Sequence, residues 1–416
     1  MGSLPAHEVI GLLRQPKMVL FGAGKRHQLP FILKSFAKTV LLVTDERMHK
    51  TSECLEMIAA LSNTGINVEV FDEVLPDLPR GNVNKAHQKF RNTKIDAVIG
   101  LGGGSCLDMA KVISIVLAHD VDVNTLYGEG LVPGPGFPVI TIPTTGGTGA
   151  EVTCISVVYD EERKMKLGVA SSHLEPYAAI VDPELTLSCP PALTAATGAD
   201  ALTHLVEAFT GKSKKPSPEQ IDKHLYVGKN AFADIYAKHG IKLLNHSLEA
   251  VIANPSDLQA RTDTMMGAFA AGMAINTAGT AAAHAIQSPI GGLTHTAHGF
   301  GVGALLPYVM RFNLPTRIDE MAEIAETMGI VDSLEPKLDK AKKAIKRVEE
   351  ILTTIKAPIN LKELGVEPKD FDLISDQALL ATRLVANNPR ELTKKAVLEI
   401  LARGYNQDLS WWEYSE

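Results

Sequence analysis

The sequence predicts an α/β half built on a parallel sheet with flanking helices, followed by an all-helical half. Three observations carry that prediction. Short apolar runs alternate with helical patterns over the first 187 residues. A proline pair, Pro190-Pro191, then suits entry into a helix. Beyond it, apolar residues recur about every 3.6 positions, with no convincing strand after residue 190.

The strands come from apolar runs too short for helices: residues 18–21, 39–44, 67–71, 97–100, 138–142 and 179–181. Their near-continuous apolarity means a parallel sheet covered on both faces. Residues 52–62 and 107–118 read as helices between them. The charged turn Asp160-Glu-Glu-Arg163 separates residues 156–159 from 165–169, which adds a hairpin. In the second half the helices read as 195–210, 222–238, 257–287, 317–328, 338–355, 368–379 and 391–403. The expected domains are therefore 1–187 and 188–416.

A chain of 416 residues suits two such domains. With 45% hydrophobic but only 5% aromatic residues, its core is built from aliphatic and small side chains. A net charge of −7 argues against a nucleic-acid partner, which asks for a basic patch. The cluster Lys212-Ser-Lys-Lys215 reads as a solvated loop. The four cysteines, Cys54, Cys106, Cys154 and Cys189, are widely spaced, as in a reducing compartment, and argue against thiolate-bound zinc. No signal-peptide pattern opens the chain, and Ala6 breaks a myristoylation motif. Residues 265–286 are the most membrane-like, yet Asn276 and His284 fit a packed buried helix better. A cytoplasmic, soluble protein with no membrane partner is expected.

Two glycine turns follow apolar strands. In Gly100-Leu-Gly-Gly-Gly-Ser-Cys-Leu-Asp108 the uncovered backbone N–H groups and the next helix's positive end favour a phosphate. A tight turn without ligand is the plain alternative, since neither a Gly-x-Gly-x-x-Gly fingerprint nor a P-loop lysine is present. The second turn, Pro143-Thr-Thr-Gly-Gly-Thr-Gly-Ala-Glu151, adds hydroxyls from Thr144, Thr145 and Thr148. Two such turns at the ends of parallel strands converge on one crevice and point to a dinucleotide. Asp45 ends a strand where it could accept from ribose hydroxyls, favouring NAD over NADP; a helix N-cap is its other reading.

The longest stretch without a formal charge, residues 264–310, holds His284 and His298. Upstream, Asp200 and His204 stand four apart on a helical run, so both project from one face. A surface hydrogen bond alone would explain that pair. Three imidazoles and one carboxylate suit zinc or ferrous iron. His284 reads as lying near the end of one long helix. The breaker-rich residues 288–294 read as the connection leading to His298, and spacing leaves His295 as its rival.

These motifs together resemble the iron-containing (group III) alcohol dehydrogenases: Leu101-Gly-Gly-Gly-Ser-Cys-Leu-Asp-Met-Ala-Lys111, Pro143-Thr-Thr-Gly-Gly-Thr-Gly-Ala-Glu-Val-Thr153, Asp200-x-x-x-His204 and His284-x13-His298-Gly299. The likeness runs from about residue 17 to the C-terminus. It implies an N-terminal dinucleotide-binding domain, a helical metal-binding domain and a cleft between them. The implied ligands of Fe2+, or of Zn2+ in its place, are Asp200, His204, His284 and His298. Gly102, Gly103, Gly104 and Ser105 would hold the pyrophosphate of NAD, or less readily NADP. Thr144, Thr145 and Thr148 would lie against the cofactor, Asp45 by the adenosine ribose, and Asp108 and Lys166 near the nicotinamide. A homodimer or higher homo-oligomer is also implied.

One position departs from the pattern. Some relatives carry a further histidine four residues after the third ligand, where this chain has Ser288. A hydroxyl relays a proton but cannot store one near neutral pH. Ser288 and the nearby His295 are thus the expected proton-path residues, with water or a cofactor ribose hydroxyl as the alternatives. The predicted reaction is reversible hydride transfer between nicotinamide and a small primary alcohol, diol or carbonyl. Two alternatives are a dehydroquinate-synthase-type cyclase and a non-catalytic nucleotide-binding protein. The cyclase needs cations around a substrate phosphate, and residues 262–310 contain no Lys or Arg.

Overall fold

The inner strands of the main sheet form where both faces of the chain find cover. The computed structural model describes residues 10–214, 216 and 224–410. One unit, Gln15–Cys189, contains β1 (Met18–Phe21), α1 (Leu29–Leu33), β2 (Thr39–Val43), α2 (Glu46–His49), α3 (Ser52–Asn63) and β3 (Asn67–Phe71). It continues with α4 (Arg80–Phe90), β4 (Ala97–Gly102), α5 (Gly104–His119), β5 (Gly128–Glu129) and β6 (Val139–Pro143). The hairpin β7 (Ile155–Asp160) and β8 (Met165–Ala170) precedes β9 (Ala178–Val181). Six strands form a parallel sheet in the order β1-β9-β6-β4-β2-β3.

The alternation of side chains explains why inner strands such as β2 and β4 read as unbroken apolar runs. Leu41, Val43 and Val98 pack with α4 and α5 residues such as Val83 and Ile113. Their neighbours Val40, Leu42 and Ile99 point the other way, onto Leu33 of α1 and Leu61 of α3. Each such side chain, fully buried, contributes about 1.5–3 kcal/mol of transfer free energy. The hairpin joins β5 in a separate three-stranded sheet; β7 and β8 pair antiparallel.

The other unit joins Pro190 and the residues beyond it with those up to Arg14. Its helices are α6 (Pro191–Thr210), α7 (Ala231–Ala253), α8 (Leu258–Ala278), α9 (Ala282–Thr294) and α10 (His298–Asn313). Then come α11 (Ile318–Met328), α12 (Lys337–Thr354), α13 (Phe371–Leu379), α14 (Thr382–Asn387) and α15 (Lys394–Asn406). Among the described residues here, β structure is limited to one isolated bridge, Ser213 to Gly228. Small residues let the helices close in. A Cβ on Gly240 would sit 2.5 Å from Leu205, and one on Gly267 2.4 Å from Leu244.

Four expectations need correction. Residues 10–14 belong with the helices: the Ile10 carbonyl accepts from Ala231 N–H, and Asn276 donates to the Arg14 carbonyl. The helix expected over 222–238 starts at Ala231, capped by Asn230, and runs on to Ala253; residues 222 and 223 lie outside the described residues, as does Lys215. The long helix expected over 257–287 is two, broken at Gly279 with its φ of +74°. Residues 288–294 are helical rather than a connection. Burial of Ile286 and Ile290 keeps α9 intact through Pro289, whose missing N–H costs one hydrogen bond.

Candidate functional site

Helix α6 presents Asp200, His204 and Glu207 at i, i+4 and i+7, a single buried face. His284 stands in the first turn of α9 because of the break at Gly279. His298 is the first residue of α10. The Asp200 Oδ1 atom lies 3.5 Å from His204 Nε2, 3.6 Å from His284 Nε2 and 3.6 Å from His298 Nε2. The His204 and His284 rings stack with centroids 4.7 Å apart, and His298 tilts at 55° to His284. Asp200, His204 and His284 thus form a buried group whose ligand atoms lie within 4.8 Å of one another, and His298, the rival of His295, also reaches Asp200 Oδ1.

These distances suit a shared cation better than a hydrogen-bond network. Ligand atoms about 2.1 Å from one centre at tetrahedral angles lie about 3.4 Å apart. Asp200 Oδ1 and His284 Nε2 are buried and have no hydrogen-bond partner, a cost of about 1–3 kcal/mol each that a coordinated ion removes. Three imidazole nitrogens and a carboxylate oxygen form a donor set typical of zinc or ferrous iron. The residues present fit the metal.

Behind the group stand two residues that the sequence reading missed. Glu207 accepts from the Ala281 and Ala283 N–H groups at the start of α9, at 2.8 and 2.6 Å, and holds His284 Nδ1 at 2.6 Å. One carboxylate thus caps the helix and turns Nε2 of His284 toward Asp200. Gln287, one turn past His284, holds His298 Nδ1 at 2.8 Å. Gly299 was quoted only as part of a motif. A Cβ there would sit 1.9 Å from the Ala196 carbonyl oxygen and 3.1 Å from Asp200 Cβ, so only glycine brings α10 this close to α6. The i+3 spacings of Glu207 from His204 and of Gln287 from His284 are the signals that could have found the two supporting residues.

Charge follows the geometry. Burial works against ionised Asp200, but the surrounding imidazoles hold its carboxyl well below the usual carboxylate range. Burial likewise opposes a charged His284, and the Glu207 and Asp200 carboxylates overcome it, pushing His284 up to about 9. The two carboxylates favour a positive charge at this point. Ser288 lies one turn beyond His284 and is half-buried. His295 is exposed and ends α9 with a φ of +53°.

In the sheet unit the two glycine turns touch. Gly102, at φ +145°, leads from β4 to α5, and Thr144 N–H donates to its carbonyl at 3.0 Å. A Cβ on Gly104 would sit 2.7 Å from Thr148, and one on Gly103 3.7 Å from Thr145. The first turn of α5 aims the Gly104 and Ser105 N–H groups out of the helix end, as anion binding requires. Of the two readings of Asp45, the helix cap is the one the structure shows. Oδ1 caps α2 by accepting from Met48 N–H at 2.8 Å, while Oδ2 sits 3.7 Å from the Cβ position of Gly102.

Asp108 and Lys166 are already engaged within the protein. Asp108 accepts from Val157 N–H at 2.9 Å and pairs with Lys111 at 3.0 Å, clamping the hairpin to α5. Lys111 is wholly buried, and it also donates to Thr153 and to the Ile155 carbonyl. Lys166 on β8 pairs with Asp77 at 2.6 Å. Near Lys111, burial pushes the Glu151 carboxyl up to about 7.

Known proteins resemble this chain over most of its length. The family description "Iron-containing alcohol dehydrogenase" matches residues 16–183, and its Fe-containing C-terminal counterpart matches residues 194–405. Long-chain-alcohol dehydrogenase 1 of Geobacillus thermodenitrificans is 35% identical over 389 residues, covering 92% of this chain and 94% of its own. The NAD-dependent methanol dehydrogenase of Bacillus methanolicus is 32% identical over 387 residues, covering 93% and 97%. The solved alcohol dehydrogenase of Oenococcus oeni superposes with a TM-score of 0.88 at 29% identity, over 95% of this chain and 100% of its own. The cyclase alternative draws no support from these matches. Among the described residues, no helix is long and apolar enough to cross a membrane.

Proposed function

Since the chain belongs to the iron-containing alcohol dehydrogenase family, we propose that Asp200, His204, His284 and His298 hold one ferrous ion for its alcohol–carbonyl reaction, with zinc the alternative. The reaction class, metal-dependent and nicotinamide-linked alcohol oxidation with its reverse, follows from the family. The observation that carries the metal assignment is one buried carboxylate oxygen within 3.6 Å of three imidazole nitrogens. When bound, such an ion is a Lewis acid that eases deprotonation of an alcohol and polarises a carbonyl.

The chain's own groups do the rest. Glu207 and Gln287 fix the ring orientations of His284 and His298, so their Nε2 atoms stay aimed at Asp200 Oδ1. His298, with 35% of its side chain exposed, marks the open side of the cluster, from which substrate approaches. Ser288 and His295 are the groups proposed to carry the alcohol proton outward. Gly102, Gly103, Gly104 and Ser105, with Thr144, Thr145 and Thr148, are proposed to hold the dinucleotide, and Asp45 to select NAD over NADP by repelling a 2′-phosphate. Lys166 is proposed to lie by the nicotinamide. Asp108, engaged with Lys111 and Val157, would support the same region through the hairpin. The substrate is a small primary alcohol or diol, or its carbonyl. The two functional domains, a cytoplasmic location and a homo-oligomer complete the reading.

The test is a turnover assay. Protein loaded anaerobically with ferrous iron should change NADH absorbance with a panel of small alcohols, diols and aldehydes, and NADPH should serve less well. No turnover with any of them would overturn the proposal.

A further inference from the structure

The segment after β3 carries backbone strain that its role as a connection does not require. Asp77 and Leu78 are consecutive non-glycine residues at φ +62° and +48°, in the left-handed region that bulky side chains avoid. Such conformations cost about 1–3 kcal/mol each and persist where the surroundings impose them. Here the surroundings do so from both sides. Leu78 is fully buried in the core beneath the sheet, and its carbonyl accepts from Tyr159 N–H of β7 at 2.9 Å. Asn82 holds Leu75 N–H and the Glu73 carbonyl, while Arg80 pairs with Asp160 and Glu162 on the hairpin.

The strained pair delivers one side chain to one place: the Asp77 carboxylate, 2.6 Å from the Lys166 ammonium. Lys166 is 12% exposed and Asp77 43% exposed, so the lysine is tucked in while the acid faces outward. Among the described residues, Asp77 is the carboxylate within ion-pair reach of Lys166. A lone ammonium beside a nicotinamide would discriminate between its two redox forms. The ring of NAD+ carries a positive charge; that of NADH is neutral.

We infer that Asp77 is the counter-ion that lets Lys166 sit beside an oxidised, cationic nicotinamide. The inference rests on the placement of Lys166 proposed above. Asp77 acts through Lys166, as a positioning residue, and it balances the affinities of the site for the two ends of the hydride transfer. A purely structural clamp would leave that balance unchanged.

The experiment measures the dissociation constants of NAD+ and NADH separately, by calorimetry and by NADH fluorescence, on the full-length, metal-loaded protein. Asp77→Asn removes the charge while keeping a residue that adopts the left-handed conformation readily, so the fold is retained. It should weaken NAD+ by roughly three- to tenfold, the scale of one unscreened charge at partly exposed range, and leave NADH within about twofold. Lys166→Met should shift the ratio the other way, and Asp77→Asn should then add little. Equal effects of Asp77→Asn on both forms, or none on either, would overturn the inference while Lys166→Met still moved the ratio. If Lys166→Met moved neither constant, the placement of Lys166 would fail, and the inference with it.

Discussion

The helical unit and the sheet unit announce their ligands in opposite ways. Around Asp200 the signal is unmet chemistry: a buried carboxylate oxygen and a buried imidazole nitrogen without hydrogen-bond partners, aimed at one point. Around Gly102–Gly104 the neighbouring acids already have partners: Asp45 caps α2 and Asp108 holds the hairpin. What that turn offers a ligand is backbone. A side-chain site therefore depends on orientation and should fail sharply when its supports change. A backbone cradle should degrade gradually, through charge and loop position.

The largest expected effect is on helix approach. Gly299→Ala places a methyl within 1.9 Å of the Ala196 carbonyl and must push α10 off α6. Metal retention should fall more than a hundredfold, with about 1–3 kcal/mol lost in stability by overpacking. Full metal retention in elemental analysis of this variant would break the comparison. Glu207→Gln should come next. It leaves the shape but alters the group that fixes His284, and a 10- to 100-fold loss of metal affinity is expected in chelator competition. Wild-type affinity would reduce Glu207 to a helix cap.

In the sheet unit the expected effects are smaller. Asp45→Gly should narrow the preference for NADH over NADPH at a cost of only a few tenths of a kcal/mol in capping. An unchanged ratio of kcat/KM for the two cofactors would leave only the cap. Glu151→Gln sharpens the contrast through pH. The folded-state value of about 7 lies above the ordinary 4.5, so the folded chain holds this proton more tightly. Stability from this group is full below pH 4.5, falls as pH rises toward 7, and stays lower above it. The glutamine variant should match wild type in denaturant unfolding near pH 4.5 and exceed it by on the order of 1–3 kcal/mol above pH 7. A constant difference across that range would mean the carboxyl is not held protonated.

The legibility of the sequence followed the same divide. The four inner strands of the main sheet could be read because burial on both faces leaves apolar runs, as in Val40-Leu-Leu-Val43 and Ala97-Val-Ile-Gly100, while the half-exposed edge strands β1 and β3 were read from short runs such as Met18-Val-Leu-Phe21. Helix ends were harder. The break at Gly279 hides in a run of small residues that suits helix or turn equally, and tertiary burial carries α9 through Pro289 against local propensity. The four residues proposed to hold the metal were visible as residue types, and the family resemblance favoured His298 over His295. Their supports were not, because Glu207 and Gln287 act through partners that only the fold brings near. Asp77 left no sequence signal, since nothing local forces two left-handed residues between Pro76 and Pro79.

The central claim is that Asp200, His204, His284 and His298 together hold a single ion. Metal stoichiometry after anaerobic loading with ferrous iron and removal of excess, for the wild type beside His284→Ala, tests it most directly. The account predicts close to one iron per chain in the wild type and essentially none in the variant, with the sheet unit still folded by circular dichroism. Equal iron in both would contradict it.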